Sequence, residues 1–194
     1  SVSNESLLGM SLGSTKVGAL GVQGPFGHYP LAGTLKVPVV ASIPNPPLIP
    51  NLFTPSVERN ITITIPTVQG ADIVDKGPFD VPLGELTSLP LLLENTGNDL
   101  TSYRLSVIDD LPDGWSTSIS TTSTSSDLIL DLDSDVSDAP GEGNSHLRPF
   151  ELIVTTDPLT DAYLIQDVNI KIEDSSTGLM INIVPVSVRV GPYV

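Results

Sequence analysis

Apolar residues recur at every second position over much of this chain. Between Arg59 and Ile65, Ile61, Ile63 and Ile65 alternate with Thr62 and Thr64. The same beat returns in Tyr103, Leu105 and Val107, in Leu128, Leu130 and Leu132, across Ile165 to Ile172, and in Val184, Val186, Val188 and Val190. A period of two puts such residues on one face of a pleated strand. Leu86 to Glu94 is a denser apolar run, and Trp115 to Ser120 and Phe150 to Thr156 complete the set. Turn-forming residues separate these runs: Asn95-Thr96-Gly97-Asn98, Asp109 to Gly114, and Asp174 to Gly178. Asn95 and Gly97 are residue types that accept positive φ in a tight turn. Pro185 interrupts the last run and predicts a bulge or an edge position there. No segment has a helical period. Seven or eight strands over about 135 residues predict an all-β antiparallel β-sandwich.

The chain before that region is patterned differently. From Ser1 to Ser56 the only carboxylate side chain is Glu5, and the only fixed cations are Lys16 and Lys36. Gly and Pro are dense there, which argues against a helix. Apolar stretches lie between them, at Leu7-Leu8, Val17 to Val22 and Leu35 to Ile43. Disordered segments are usually polar and charged, so an apolar, nearly chargeless, extended arm is expected to be buried against something. Asn45 to Asn51, with Pro46, Pro47 and Pro50, reads as a stiff extended connector. The expected organisation is an N-terminal arm over residues 1–56 and a sandwich over 57–194.

Composition and charge narrow the function classes. Hydrophobic residues make up 39% of the 194, enough to bury a core, while aromatics are only 5%. The formal net charge is −15, with 8 Lys and Arg against 23 Asp and Glu. Nucleic acid is a poor partner for such a chain, because binding phosphates needs a basic footprint. No run of about 18 apolar residues occurs, so membrane insertion by a helix is not expected. There is no Cys, which excludes disulfides and thiolate-ligated zinc. The chain opens Ser1-Val2-Ser3, as a mature exported protein would after signal-peptide removal. In an exported protein the sequons Asn4-Glu5-Ser6 and Asn60-Ile61-Thr62 would make Asn4 and Asn60 glycan sites.

Residues Leu91 to Trp115 carry a resemblance. A strand ending in Glu94-Asn95-Thr96-Gly97-Asn98 leads to Tyr103-Arg104-Leu105-Ser106-Val107, and then to Leu111-Pro112-Asp113-Gly114-Trp115. This order resembles a recurring pattern of prokaryotic extracellular immunoglobulin-like domains. Such domains accompany surface-layer proteins and glycoside hydrolases, so the resemblance implies a fold and a compartment but no activity. Trp115 reads as a core or corner anchor, since one large ring supplies much burial in an aromatic-poor protein; stacking on a ligand is the competing role. The arm also looks like the donor segments of archaeal and bacterial surface filaments, in which an N-terminal strand completes the neighbouring subunit's sandwich. Composition and architecture carry that second likeness. The chain has neither a long apolar N-terminal helix nor the Cys pair of many pilins.

Candidate chemistry is sparse. Asp131, Asp133 and Asp135 alternate, and Glu142 falls twelfth counted from Asp131, a spacing that imitates a calcium-binding loop. Val136 stands where that loop needs Gly, and the preceding segment reads as strand. A solvated acidic edge, joined by Asp138, is the competing reading. Asp109, Asp110 and Asp113 form a second acidic loop with the same two readings. His28 and His146 are the only histidines and have no metal-ligand spacing. No Gly-x-Ser-x-Gly elbow occurs, and no phosphate-binding Gly loop. No catalytic residue and no cofactor other than calcium is expected, and the protein reads as a non-enzyme.

The resemblances and the arm together imply an extracellular structural subunit, of pilus-like filament or surface-layer type, that self-assembles into a homopolymer. Val17, Leu20, Val22, Leu35, Val37 and Val39 are the expected assembly residues of the donated arm. The alternative is a monomeric extracellular spacer or carbohydrate-associated binding module whose arm folds back on its own sheet.

Overall fold

The computed structural model describes residues 31–42, 56–108, 111–121, 129–132 and 146–191. Those residues form eleven strands and no helix. No helix among them is long and apolar enough to cross a membrane. The strands are β1 (Gly33–Ser42), β2 (Ser56–Ile65), β3 (Ala71–Ile73), β4 (Phe79–Val81), β5 (Leu86–Asn95), β6 (Thr101–Val107), β7 (Ser116–Ser120), β8 (Ile129–Leu132), β9 (Leu147–Thr155), β10 (Ile165–Asp174) and β11 (Met180–Val190).

Nine of them build an immunoglobulin-like β-sandwich. One sheet has the order β3-β5-β9-β7 and the other β4-β11-β10-β6-β8. Every pairing is antiparallel except β4 with β11. The chain enters on one sheet at β3 and crosses to the other at β4. The two short strands therefore share one flank of the sandwich. Asn182 fastens that flank, its Nδ2 donating to the Ala71 carbonyl at 2.9 Å, and Arg189 grips Asp80 with two nitrogens at 2.6 and 2.8 Å.

Alternation decides what is buried. Leu89, Leu91 and Leu93 point inward from β5, Leu152 and Val154 from β9, Val168, Ile170 and Ile172 from β10, and all four valines from Val184 to Val190 from β11. The two inner faces meet as the core of the sandwich. Trp115 joins this core at 8% exposure, with Nε1 donating to Thr160 Oγ1 at 2.9 Å. It is a corner anchor, as one of its two readings had it. The β6–β7 connection turns on Gly114 at φ +80, and the Trp115 amide donates to the Pro112 carbonyl at 3.1 Å.

Some local expectations change. β3 and β4 are strands that the alternation did not announce, while β1 falls in the arm's apolar stretch, where an extended segment was expected. Gly97 and Asn95 do not adopt positive φ; both serve the close packing of their turn, described below. The register shift of β11 falls opposite Ile172 and Glu173, while Pro185 stands in regular pairing with Asn169, so Pro185 marks an edge and not a bulge.

Candidate assembly interface

The two remaining strands stand outside both sheets. β1 and β2 pair only with each other among the described residues, over ten opposed positions from Gly33↔Ile65 to Ser42↔Ser56. Opposed residues share a face. One face of this ribbon therefore carries Leu35, Val37, Val39 and Ala41 over Ile63, Ile61, Arg59 and Val57, with Ile65 at its base. The other carries Thr34, Lys36, Pro38 and Val40 over Thr64, Thr62, Asn60 and Glu58. The apolar face is largely bare: Leu35 is 48%, Ile61 41% and Val57 55% exposed. The arm's apolar stretch was expected to be buried, and β1 is mostly exposed within the single chain. A two-stranded ribbon alone is marginal in water, and a third layer or strand is what normally stabilises it.

The root of the ribbon is tightly built. Asn98, 1% exposed, takes the Val68 amide on Oδ1 at 2.7 Å and gives Nδ2 to the Pro66 carbonyl at 3.1 Å. Its backbone amide donates to the Val68 carbonyl at 3.0 Å, and its carbonyl accepts from the Ala32 amide at 2.9 Å. One residue of the β5–β6 turn thus holds the exit of β2 and the entry of β1. Beside it, the Gly97 amide donates to Asn95 Oδ1 at 2.9 Å, which fixes the orientation of that amide group. The Tyr103 hydroxyl lies 2.7 Å from the Gly70 carbonyl oxygen and 2.8 Å from Asn95 Oδ1, sharing one proton between two acceptors. Burial pushes the Tyr103 phenol up to about 12, and the nearby Asp174 charge adds to the rise. Gly70 and Gly97 are required by proximity: a Cβ on Gly70 would meet Thr96 Oγ1 at 2.5 Å, and one on Gly97 would meet the Val68 carbonyl oxygen at 2.5 Å.

Asp174 completes the root from the other sheet. Its Oδ1 accepts from the Ser176 hydroxyl at 2.6 Å and from the Ser176 and Thr177 amides at 2.8 and 3.2 Å. Its Oδ2 accepts from Gln69 Nε2 at 2.5 Å, reaching the segment between β2 and β3. The Ser176 hydroxyl, followed by the backbone amides and Gln69, outweighs the cost of burial and holds the carboxyl down at about 2.

The sandwich edges bear on how a neighbour can be received. β5 is flanked by β9 along almost its whole length, but β3 covers only Leu93–Asn95. β11 is likewise flanked by β10, while β4 covers only Val188–Val190. The Val74 amide bonds the Leu92 carbonyl, and the Ser187 amide bonds the Lys76 carbonyl. Even positions of β5 and odd positions of β11 therefore turn their polar groups outward, since one strand residue's N–H and C=O point the same way. Pro90 and Pro185 occupy such positions where no described strand lies alongside, and each withdraws a donor from an open edge. Ile183, the next outward position in β11, gives its amide to its own neighbour's Asn182 Oδ1 at 2.9 Å. This flank is protected against strand addition.

Of the expected assembly residues, Leu35, Val37 and Val39 lie on the ribbon's apolar face, while Val17, Leu20 and Val22 lie outside the described residues. Asn60 is exposed on the polar face, opposite Pro38; Asn4 lies outside the described residues. Asp131 is exposed in β8 and accepts from the Ser102 hydroxyl. Asp133, Asp135, Asp138 and Glu142 lie outside the described residues, as do Asp109, Asp110, His28 and the connector 45–51. Asp113 is exposed in its turn. His146 offers its carbonyl to the Asn95 amide at 2.9 Å. Among the described residues no group of three or more acidic or His side chains is placed to hold a metal.

No protein-family model matches the sequence, and no curated protein does either. Among solved structures, the chain is similar to domains 4 and 5 of the S-layer protein SbsC. That similarity has 13% identity and a TM-score of 0.35, over 92% of this chain and 85% of that one. It is also similar to the sialic acid binding region of a Streptococcus sanguinis SK1 adhesin, at 13% identity and a TM-score of 0.38, over 69% of this chain and 32% of that one. At these scores function must be argued from the chain's own residues.

Proposed function

We propose that this chain is a non-catalytic structural subunit of an extracellular assembly, a filament or surface layer, which polymerises by lending its N-terminal arm to a neighbouring subunit. The lent unit is the β1–β2 ribbon, so it includes the first strand after the arm as well as the arm itself. The observation that carries this reading is the largely bare apolar face of Leu35, Val39, Ile61 and Val57, on a ribbon with no third layer among the described residues. A ribbon of ten pairs spans roughly 30 Å, long enough to reach across a neighbouring sandwich. Its few charges suit burial, because charged groups resist removal from water, while the acidic faces of the sandwich stay solvated. The protected β5 and β11 edges favour packing through the ribbon's face over insertion of a strand on that flank.

The test is negative-stain microscopy and sedimentation of the purified chain beside Leu35→Asp and Ile61→Asp. Both positions are exposed and far from the sandwich core, so thermal unfolding of the sandwich should not move. Polymers from the parent chain and single particles from both variants are the expected result. A parent chain that sediments at 20.4 kDa at every concentration would instead support the monomeric spacer or binding module.

A further inference from the structure

Resting on the reading that the chain assembles through its ribbon, we infer that the ribbon's apolar face docks on the opposite pole of a second copy. Arg59 there sits among the carboxylates of that pole, and the assembly is head to tail. The ribbon is rooted at the pole formed by the β5–β6 and β10–β11 turns, where Asn98 and Asp174 hold it. The opposite pole is made by segments 82–86, 111–115 and 156–165, and two of its properties suit a partner.

It exposes several large apolar side chains, with Leu86 and Ile165 on the outer faces of opposite sheets and Leu159 and Leu164 beside one depression. Leu86 is 68%, Leu159 91%, Tyr163 67% and Ile165 57% exposed. The 82–86 and 156–165 segments touch, since the Pro158 Cβ lies 3.0 Å from where a Cβ on Gly84 would stand. An open depression of about 320 Å³ is lined by Leu159 and Leu164 together with Asp113, Asp157 and Asp161. Tyr163 is also the only described non-Gly residue with positive φ, at +68, and its amide is tied to the Val190 carbonyl at 2.8 Å. A bulky residue held in that conformation with its ring in solvent is backbone strain without burial in return, which is characteristic of sites that meet a partner.

The pole is also acidic. Glu85, Asp113, Asp157 and Asp161 lie in these segments, and no Lys or Arg does. The ribbon has the reverse balance: Lys36 and Arg59 against Glu58, in a chain of net charge −15. Arg59 is the one charged group on the apolar face, opposite Val39 and between Ile61 and Val57. A guanidinium in such a face needs a carboxylate when the face is covered, and the apolar pole offers several. Complementary charge set within apolar surface fixes partner and register. Donor and acceptor lie at opposite ends of the sandwich, so the contact is heterologous and propagates from copy to copy.

The chain has no Cys, so engineered thiols report the contact without background. Val39→Cys combined with Leu159→Cys in one chain, oxidised under assembly conditions, should give a ladder of covalent multimers on a non-reducing gel, and each single variant at most dimers. In parallel, Arg59→Glu should raise the protein concentration needed for polymerisation at least about tenfold. The double reversal Asp113→Lys/Asp161→Lys should do the same, and combining all three should restore most of the loss. All three sites are exposed, and unchanged thermal unfolding checks that each variant is folded. Polymers that form without a ladder and without charge-reversal rescue would overturn the polar docking and leave ribbon-driven assembly standing. A parent chain that never polymerises would overturn both.

Discussion

Replacing Asn98 by Ala should cost about twice as much stability as replacing Tyr103 by Phe, although both side chains are buried at the same root. The difference follows from what each change leaves behind. The Tyr103 hydroxyl touches two acceptors, and both keep another donor without it. The Gly70 carbonyl still accepts from the Thr96 amide at 3.1 Å, and Asn95 Oδ1 still accepts from the Gly97 amide at 2.9 Å. The Phe variant therefore loses one net hydrogen bond, about 1 kcal/mol, and orphans nothing. Asn98 instead supplies a side-chain partner to the Val68 amide and another to the Pro66 carbonyl. The Ala variant removes both and leaves a gap where a nearly fully buried side chain stood, a sum of about 2 kcal/mol. For a chain of this size that is roughly 6 °C of midpoint against roughly 3 °C. Urea unfolding of the two variants gives the ratio. Hydrogen exchange at the Val68 amide gives the location, since only the Asn98 change should accelerate it strongly. Equal costs for the two variants, or an unchanged Val68 exchange rate, would refute the claim that Asn98 clasps the ribbon's root.

The Asp174 carboxyl is held near 2 when folded, against an ordinary value of 3.8. A depressed folded value means stability that is complete above the ordinary carboxylate range and lost as pH falls from about 4 towards 2, on the order of 2 kcal/mol. An unfolding series from pH 5 to pH 2 should show that loss, and Asp174→Asn should be less stable at pH 5 and markedly flatter below it. An Asn variant with the parent's acid slope would assign the loss to other carboxylates. At the sandwich edge, Pro90→Thr with Pro185→Thr restores outward amides on β5 and β11, so light scattering should report concentration-dependent association not inhibited by Leu35→Asp. Scattering identical to that of the parent would show that the prolines are not what guards these edges.

Much of the sandwich was legible because burial and alternation coincide in it. Val184, Val186, Val188 and Val190 occupy one face by sequence and are all buried in the fold. β3 and β4 were hidden because three residues each are too few to show a period. They are strands through their neighbours' hydrogen bonds. Asn95 to Asn98 read correctly as a turn, but its partners Pro66, Val68 and Gly70 stand some thirty residues earlier, and no local pattern links them. Gly97 reads in the sequence as a residue needed for dihedral freedom, whereas proximity to the 66–70 segment is what requires it.

The ribbon is the instructive case. Ile61, Ile63 and Ile65 alternate as cleanly as Val168, Ile170 and Ile172, and the two triplets predict the same thing: a strand with one apolar face. Ile170 is fully buried, and Ile61 is 41% exposed. The difference arises because β10 lies between β11 and β6 within a sheet whose inner face meets another, whereas β2 has β1 beside it and, among the described residues, no sheet behind it. Period two states that a face must be covered and is silent about the molecule that covers it. An alternating strand left bare by the described residues is therefore where a search for a partner begins, and Asn98 and Asp174 tie the base of this ribbon to both sheets through hydrogen bonds. A segment tied at one end and exposed along one face is what the proposed docking on a second copy requires.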